Sequence, residues 1–295
     1  MLNKYKENYL LIGAIILYST FFIIYFSFFS IEEISNNPNR LSSVTDFKAF
    51  ILLALIIAPI LEEFVFRSYF TKNKILKLTT IIGLPIFVLL SGKQYLMFFI
   101  IPYTIILIID FFKIYKVHKY IIFIGSALLF SMAHYKLSAF NSSITALPML
   151  AQFSIGLLLI WVVLNFNLKT SILVHFAHNL IIILPIFIYI QFPNIESKSL
   201  VLDEYRISWQ KTPVFGGQTL LSRPNAYQVY ADNISPSELY RMYNLSGKIK
   251  LINTELFTKY KISIEKINNS DKILNSLIVR SLLLKSNLVL NLNED

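Results

Sequence analysis

Few strongly polar side chains interrupt the apolar stretches of this 295-residue chain, and those that do fall into three short clusters. Glu62 and Glu63 follow an uncharged run from Ala49 to Leu61, and Arg67 comes four residues after Glu63. His134 closes the apolar run from Ile121 to Ala133, with Phe130 one helical turn before it. His175, His178 and Asn179 stand together near the chain's middle, at spacings of three and four. A charge at membrane depth costs about 2.5–3.5 kcal/mol on insertion scales, so such groups face a protein interior or a wet cavity. A carboxylate withdrawn from water gains proton affinity, which suits a base working near neutral pH. An imidazole and an amide converging on one point can donate to negative charge developing on a carbonyl oxygen, a role worth a few kcal/mol. The same ligand types also permit a different chemistry. Glu62, His134, His175 and His178 together offer the nitrogen and oxygen donors of a zinc site, although the HExxH spacing of zinc proteases is missing.

These side chains need helices to position them. Adjacent carboxylates on a helix point about 100° apart, so Glu62 can face a cavity while Glu63 turns toward Arg67. On a helix, His175, His178 and Asn179 share one face. Seven apolar runs are long enough, or nearly so, to cross a bilayer, near 8–29, 47–70, 78–92, 95–112, 120–135, 145–165 and 171–192. The first follows Lys4 and Lys6 without a small-residue cleavage pattern after it and reads as an uncleaved anchor.

Composition supports this division. The chain is 55% hydrophobic, only 15% charged, and has a mean hydropathy of +0.60, against about 25% charge in a water-soluble domain. Most of the net +10 charge lies beside apolar runs, so no nucleic-acid partner is expected. With an N-terminus in the cytoplasm, inner loops collect Lys4, Lys6, Arg67, Lys72, Lys74, Lys77, Lys113, Lys116, Lys119 and Lys169, while outer loops carry only Arg40, Lys48, Lys93 and Lys136. The bias favours that orientation, and seven spans then leave the tail extracytoplasmic. His118, among three lysines, reads as interfacial. Cysteine is absent, which excludes disulfides and thiolate catalysis.

The tail reads as a small α+β domain, giving a division into 1–194 and 195–295. Leu200–Leu202 and Tyr205–Trp209 alternate like strands, and Gly216-Gly217 marks a turn. Ser235-Pro236-Ser237-Glu238 is a capping box opening a helix through Tyr243. Strand-like Lys248–Ile252 and Tyr260–Ile267, helix-like Asp271–Lys285 and a last strand Leu288–Leu292 complete it.

The three clusters resemble the motifs of the CAAX-protease and bacteriocin-processing (CPBP, or Abi) intramembrane proteases. Glu62-Glu63-Phe64-Val65-Phe66-Arg67 is similar to their EExxxR motif, Phe130-Ser131-Met132-Ala133-His134 to FxxxH, and His175-Phe176-Ala177-His178-Asn179 to HxxxN, in the family's order and within residues 45–192. The resemblance implies a glutamate-dependent endopeptidase without metal or cofactor. Glu62 would be the general base, His134 its partner in holding water, and His175 with Asn179 the oxyanion donors. Glu63 and Arg67 would brace the first motif. The implied substrate is a membrane-embedded or lipidated peptide, and the implied setting a bacterial inner membrane. Residues 78–119 insert two apolar runs between the first two motifs, and an even number keeps the motif helices in their relative directions. Two other functions fit the same residues: a non-catalytic immunity or scaffold protein, which would have no need to bear the cost of these buried polar groups, and a proton-coupled transporter, for which an inverted repeat of broken helices is missing.

Overall fold

The structure, a computed structural model, describes residues 7–28, 47–135, 143–243, 251–253, 257–267 and 272–291. Its first part is helical: α1 (Asn8–Phe28), α2 (Phe47–Phe66), α3 (Lys74–Ser91), α4 (Met97–Phe111), α5 (Lys119–Met132), α6 (Ser143–Asn165) and α7 (Leu168–Gln191). Among the described residues five stretches are long and apolar enough to cross a membrane: Phe47–Phe66, Lys74–Ser91, Gln94–Phe111, Pro148–Asn165 and Leu168–Gln191. The apolar segments Asn8–Ile24 and Lys119–Met132 are shorter. These helices turn large apolar side chains outward, Leu90 at 83% exposure and Phe98 at 84%. A water-soluble protein hides such side chains, whereas lipid solvates them. This is a multi-pass membrane protein.

Two compact units divide the chain, one of Met1–Arg40 with Phe50–Ile181 and the other of Leu41–Ala49 with Ile182–Asp295. In the first, α1 and α5 both pack on α6. Helices come close where a side chain is missing: a Cβ on Gly156 of α6 would meet the Ala127 Cα of α5 at 3.0 Å, the small-residue contact that lets membrane helices approach. Gly125 serves likewise beneath the Tyr103 ring. The inserted pair α3–α4 is bound to the end of α2 by polar bonds. Thr80 Oγ1 accepts from the Tyr69 N–H and lies 2.8 Å from Ser68 Oγ, and the Tyr69 hydroxyl donates to Asp110 at 2.6 Å. Asn73 caps the start of α3, and Gly92 ends it at φ +69°, a left-handed position natural to glycine.

The second unit carries an antiparallel sheet ordered β1-β2-β6-β4-β3, from β1 (Lys198–Leu202), β2 (Tyr205–Thr212), β3 (Leu220–Asn225), β4 (Gln228–Ile234) and β6 (Lys259–Lys266). Helices α8 (Pro236–Tyr243) and α9 (Ser276–Lys285) and a ribbon of β5 (Leu251–Asn253) with β7 (Val289–Asn291) complete it. Ile207, Val229, Ile262 and Ile264 of the sheet share a core with Leu239, Val279 and Leu282 of the helices. The capping box forms: Glu238 accepts from both the Ser235 N–H and its hydroxyl, and the Glu238 N–H reaches back to Ser235 Oγ.

The tail differs from its sequence reading in two places. The hairpin β3–β4 was not expected; β3 is an exposed edge strand holding Pro224, which hides it from pattern reading. The last helix starts at Ser276, five residues later than expected, because Asn275 takes an extended conformation and accepts from the Leu277 and Ile278 N–H groups. Residues 248–250, Asp271 and Leu292 of the expected elements lie outside the described residues.

Candidate active site

The three motifs meet inside the first unit. Glu62 and Glu63 lie in the last turns of α2, His134 in the turn that ends α5, and His175 and Asn179 on α7. Glu62 Oε2 stands 3.8 Å from His134 Nε2 and 3.7 Å from His175 Nε2, with a side-chain exposure of 15%. These separations exceed a direct hydrogen bond.

Both imidazoles are oriented from behind. A backbone carbonyl can only accept, so His134 donates from Nδ1 to the Phe130 carbonyl at 2.8 Å and presents Nε2 to Glu62. A carboxylate likewise accepts, so His175 donates from Nδ1 to Glu63 Oε1 at 3.0 Å. The neutral forms of both rings therefore carry their lone pair on the nitrogen that faces Glu62.

Glu63 is fully buried and its charge is met on several sides. Arg67, also fully buried, brings Nη1 to 3.5 Å from Oε1, and Ser171 donates to Oε2 at 2.5 Å. The Arg67 guanidinium lies 3.7 Å from the centre of the Phe130 ring, a cation–π contact worth about 2 kcal/mol when desolvated. Phe130 thus links motifs: it underlies Arg67, touches His175 edge-on with centroids 5.8 Å apart, and supplies the carbonyl that orients His134.

Asn179 is held by an irregularity in α2. Between Leu53 and Ile57 the helix widens into a π-helical turn, and the Ala58 N–H bonds to the Leu53 carbonyl, five residues back, instead of to Ala54. The next residue that could bond Ala54 is Pro59, which has no N–H. The Asn179 amide nitrogen donates to the Ala54 carbonyl in their place, at 2.8 Å. That bond uses one of its two N–H groups. His178 sits at the edge of this arrangement, its Nε2 3.1 Å from the Tyr18 hydroxyl of α1.

Residues 45–181 match the model of the family described as Type II CAAX prenyl endopeptidase Rce1-like. Over that range the chain is similar to the CAAX protease family. The resemblance read from the three motifs holds at the level of the family, and the matched range includes all three motifs and the inserted pair α3–α4. No curated protein and no solved structure matches the chain.

Within the matched region the structure brings Glu62, Glu63, Arg67, His134 and His175 into one connected cluster, and ties Asn179 to α2. Sequence reasoning missed Ser171, whose position four residues before His175 was the available signal. It also missed Tyr18 and the π-helical turn, which only the Ala58-Pro59 step hints at. Among the described residues no group of three or more His, Asp or Glu side chains is arranged to hold a metal ion.

Proposed function

We propose that this protein is an intramembrane endopeptidase that hydrolyses a peptide bond of a membrane-embedded or lipidated substrate with a glutamate-activated water, without metal or cofactor. One observation carries the reading: the Glu62 carboxylate faces the Nε2 atoms of two histidines at 3.7 and 3.8 Å, each ring locked from its far side. A water in that gap gives its proton to Glu62 as its oxygen attacks the scissile carbonyl carbon, with His134 holding the water by Nε2. The carbonyl oxygen becomes an oxyanion. It meets the second N–H of Asn179 and the Nε2–H of His175, which enters the reaction as an imidazolium with a proton drawn from bulk water and keeps that proton throughout. Glu63 supports that imidazolium through Nδ1–H, and Arg67 holds Glu63 in place. The proton on Glu62 then passes to the leaving nitrogen, the C–N bond breaks, and a carboxylate and an amine result.

The same proposal places seven spans in a bacterial inner membrane, counting α1 and α5 with the five longer stretches. Its N-terminus is cytoplasmic and the residues after α7 are extracytoplasmic, which the Lys/Arg bias of the loops supports. The test is comparative proteomics of membranes from cells carrying wild type or Glu62→Ala. The reading requires at least one membrane-associated protein to accumulate uncut in the variant. Identical membrane proteomes, with both forms expressed equally, would favour a non-catalytic scaffold or immunity role.

A further inference from the structure

We propose, on the protease reading above, that Tyr18 and His178 are positioning residues that fix the Asn179 amide for the reaction, making α1 a working part of the site although it lies outside the matched residues. The Ala54 carbonyl can only accept, and the π-helical turn with Pro59 has removed its helical donors, so the group facing it at 2.8 Å must be the Asn179 NH2. The Asn179 oxygen is then the atom that faces His178 Nδ1, at 3.4 Å. An oxygen accepts, so Nδ1 carries the hydrogen. A neutral His178 with its proton on Nδ1 has a bare Nε2, and the group 3.1 Å from it is the Tyr18 hydroxyl, which must donate. Each assignment follows from the one before, and the result is a directed chain from Tyr18 through His178 and Asn179 to Ala54.

The chain has a consequence for Asn179. Held at its oxygen by His178 and at one N–H by Ala54, the amide plane cannot flip, and its remaining N–H keeps a single direction. The Ala54 bond alone fixes which end of the amide is nitrogen; the His178 contact adds a second point that fixes the tilt of the plane, and with it the direction of the remaining N–H. Preorganised donors act because they need no reorientation when charge develops. Tyr18 also meets His178 ring to ring, with centroids 6.0 Å apart at 66°, so the imidazole is set by contact as well as by its hydrogen bond.

Two measurements test the proposal. The first is steady-state cleavage, in liposomes, of the substrate that the proteomic comparison identifies. His178→Phe is expected to lower kcat about three- to tenfold, the effect of one neutral hydrogen bond, with KM and the unfolding temperature unchanged. His178→Asn, whose amide can replace the Nδ1 donor, restores most of the loss. In an Asn179→Ala background, His178→Phe costs nothing more. An unchanged kcat in His178→Phe, or an equal loss in both backgrounds, overturns the proposal. The second measurement does not depend on activity. The chain has four histidines, so 15N-histidine NMR of the reconstituted protein, with His178 assigned through His178→Phe, reads its tautomer. Nδ1–H is expected, with the Nε2 resonance moving in Tyr18→Phe. An Nε2–H tautomer in the wild type overturns the chain even if cleavage depends on Glu62. Absence of Glu62-dependent cleavage alongside the Nδ1–H tautomer overturns the protease reading and leaves the hydrogen-bond chain standing.

Discussion

Replacing Arg67 by methionine removes a fully buried guanidinium while keeping an unbranched chain over Phe130. Glu63 would lose its neighbour at 3.5 Å but keep the Ser171 hydroxyl and the His175 Nδ1–H. Removing one partner of a buried ion pair costs about 3–5 kcal/mol, because a charge is left without compensation. With two donors still on Glu63, the lower end applies, about 3 kcal/mol. For a unit of this size each kcal/mol moves the melting temperature roughly 2–4 °C, so Arg67→Met should melt about 6–12 °C below wild type in detergent. Glu63→Gln should fall further, since Arg67 would then be the uncompensated charge and donates no hydrogen bond to another side chain among the described residues. The double variant carries neither charge and should recover most of the loss, a coupling that thermal unfolding of all four proteins measures as a double-mutant cycle. A shift below about 2 °C in Arg67→Met, or a double variant as unstable as the two single losses added, would refute the reasoning that the pair compensates itself in a closed interior.

Other expectations concern the rest of the molecule. Gly156→Val places branched atoms where even a Cβ lies 3.0 Å from the Ala127 backbone, so it should part α5 from α6 and destabilise by about 1–3 kcal/mol, measured by unfolding in detergent. In the second unit burial raises the Glu238 proton affinity, but Lys259 and Ser235 outweigh it and hold the carboxyl below its ordinary value of 4.5. A lowered folded value adds stability that is present above the unfolded value and lost as pH falls through the folded one. Trp209 fluorescence in a Trp161→Phe background should therefore show the sheet weakening below pH 4.5, and Glu238→Gln should flatten that slope; because Glu238 is 40% exposed, the difference is small. A C-terminal alkaline phosphatase fusion should be active and a fluorescent protein that matures only in the cytoplasm dark; the opposite pair would mean that the number of crossings is even.

The sequence made much of this molecule legible because lipid imposes one-dimensional rules. Apolar length reports a membrane helix directly, and a charge within one is so costly that Glu62, Glu63, Arg67, His134 and His175 could be picked out by type alone. Ser171 and Tyr18 were invisible for the complementary reason: hydroxyls are cheap in membrane helices, and only tertiary packing reveals which of them bonds a carboxylate or an imidazole. The widened turn at Leu53–Ile57 was equally hidden, since no residue there departs from an ordinary apolar pattern and its cause lies in the hydrogen bonds around Pro59. In the tail, β2 and β6 alternate because one face is buried. Edge strand β3, exposed along its whole length, has no buried face to impose a period.

The central claim is that Glu62 takes a proton from the attacking water. Glu62→Gln keeps the side chain's volume and its place between His134 and His175 but cannot act as that base. Its kcat on the substrate found by proteomics, in liposomes and in the presence of a zinc chelator, is the most direct measurement. Cleavage by the wild type is expected to be unaffected by the chelator, while Glu62→Gln loses it by a factor of at least about 10² and unfolds at the same temperature. Cleavage at the wild-type rate by Glu62→Gln, or wild-type activity lost to the chelator and restored by zinc, would contradict it.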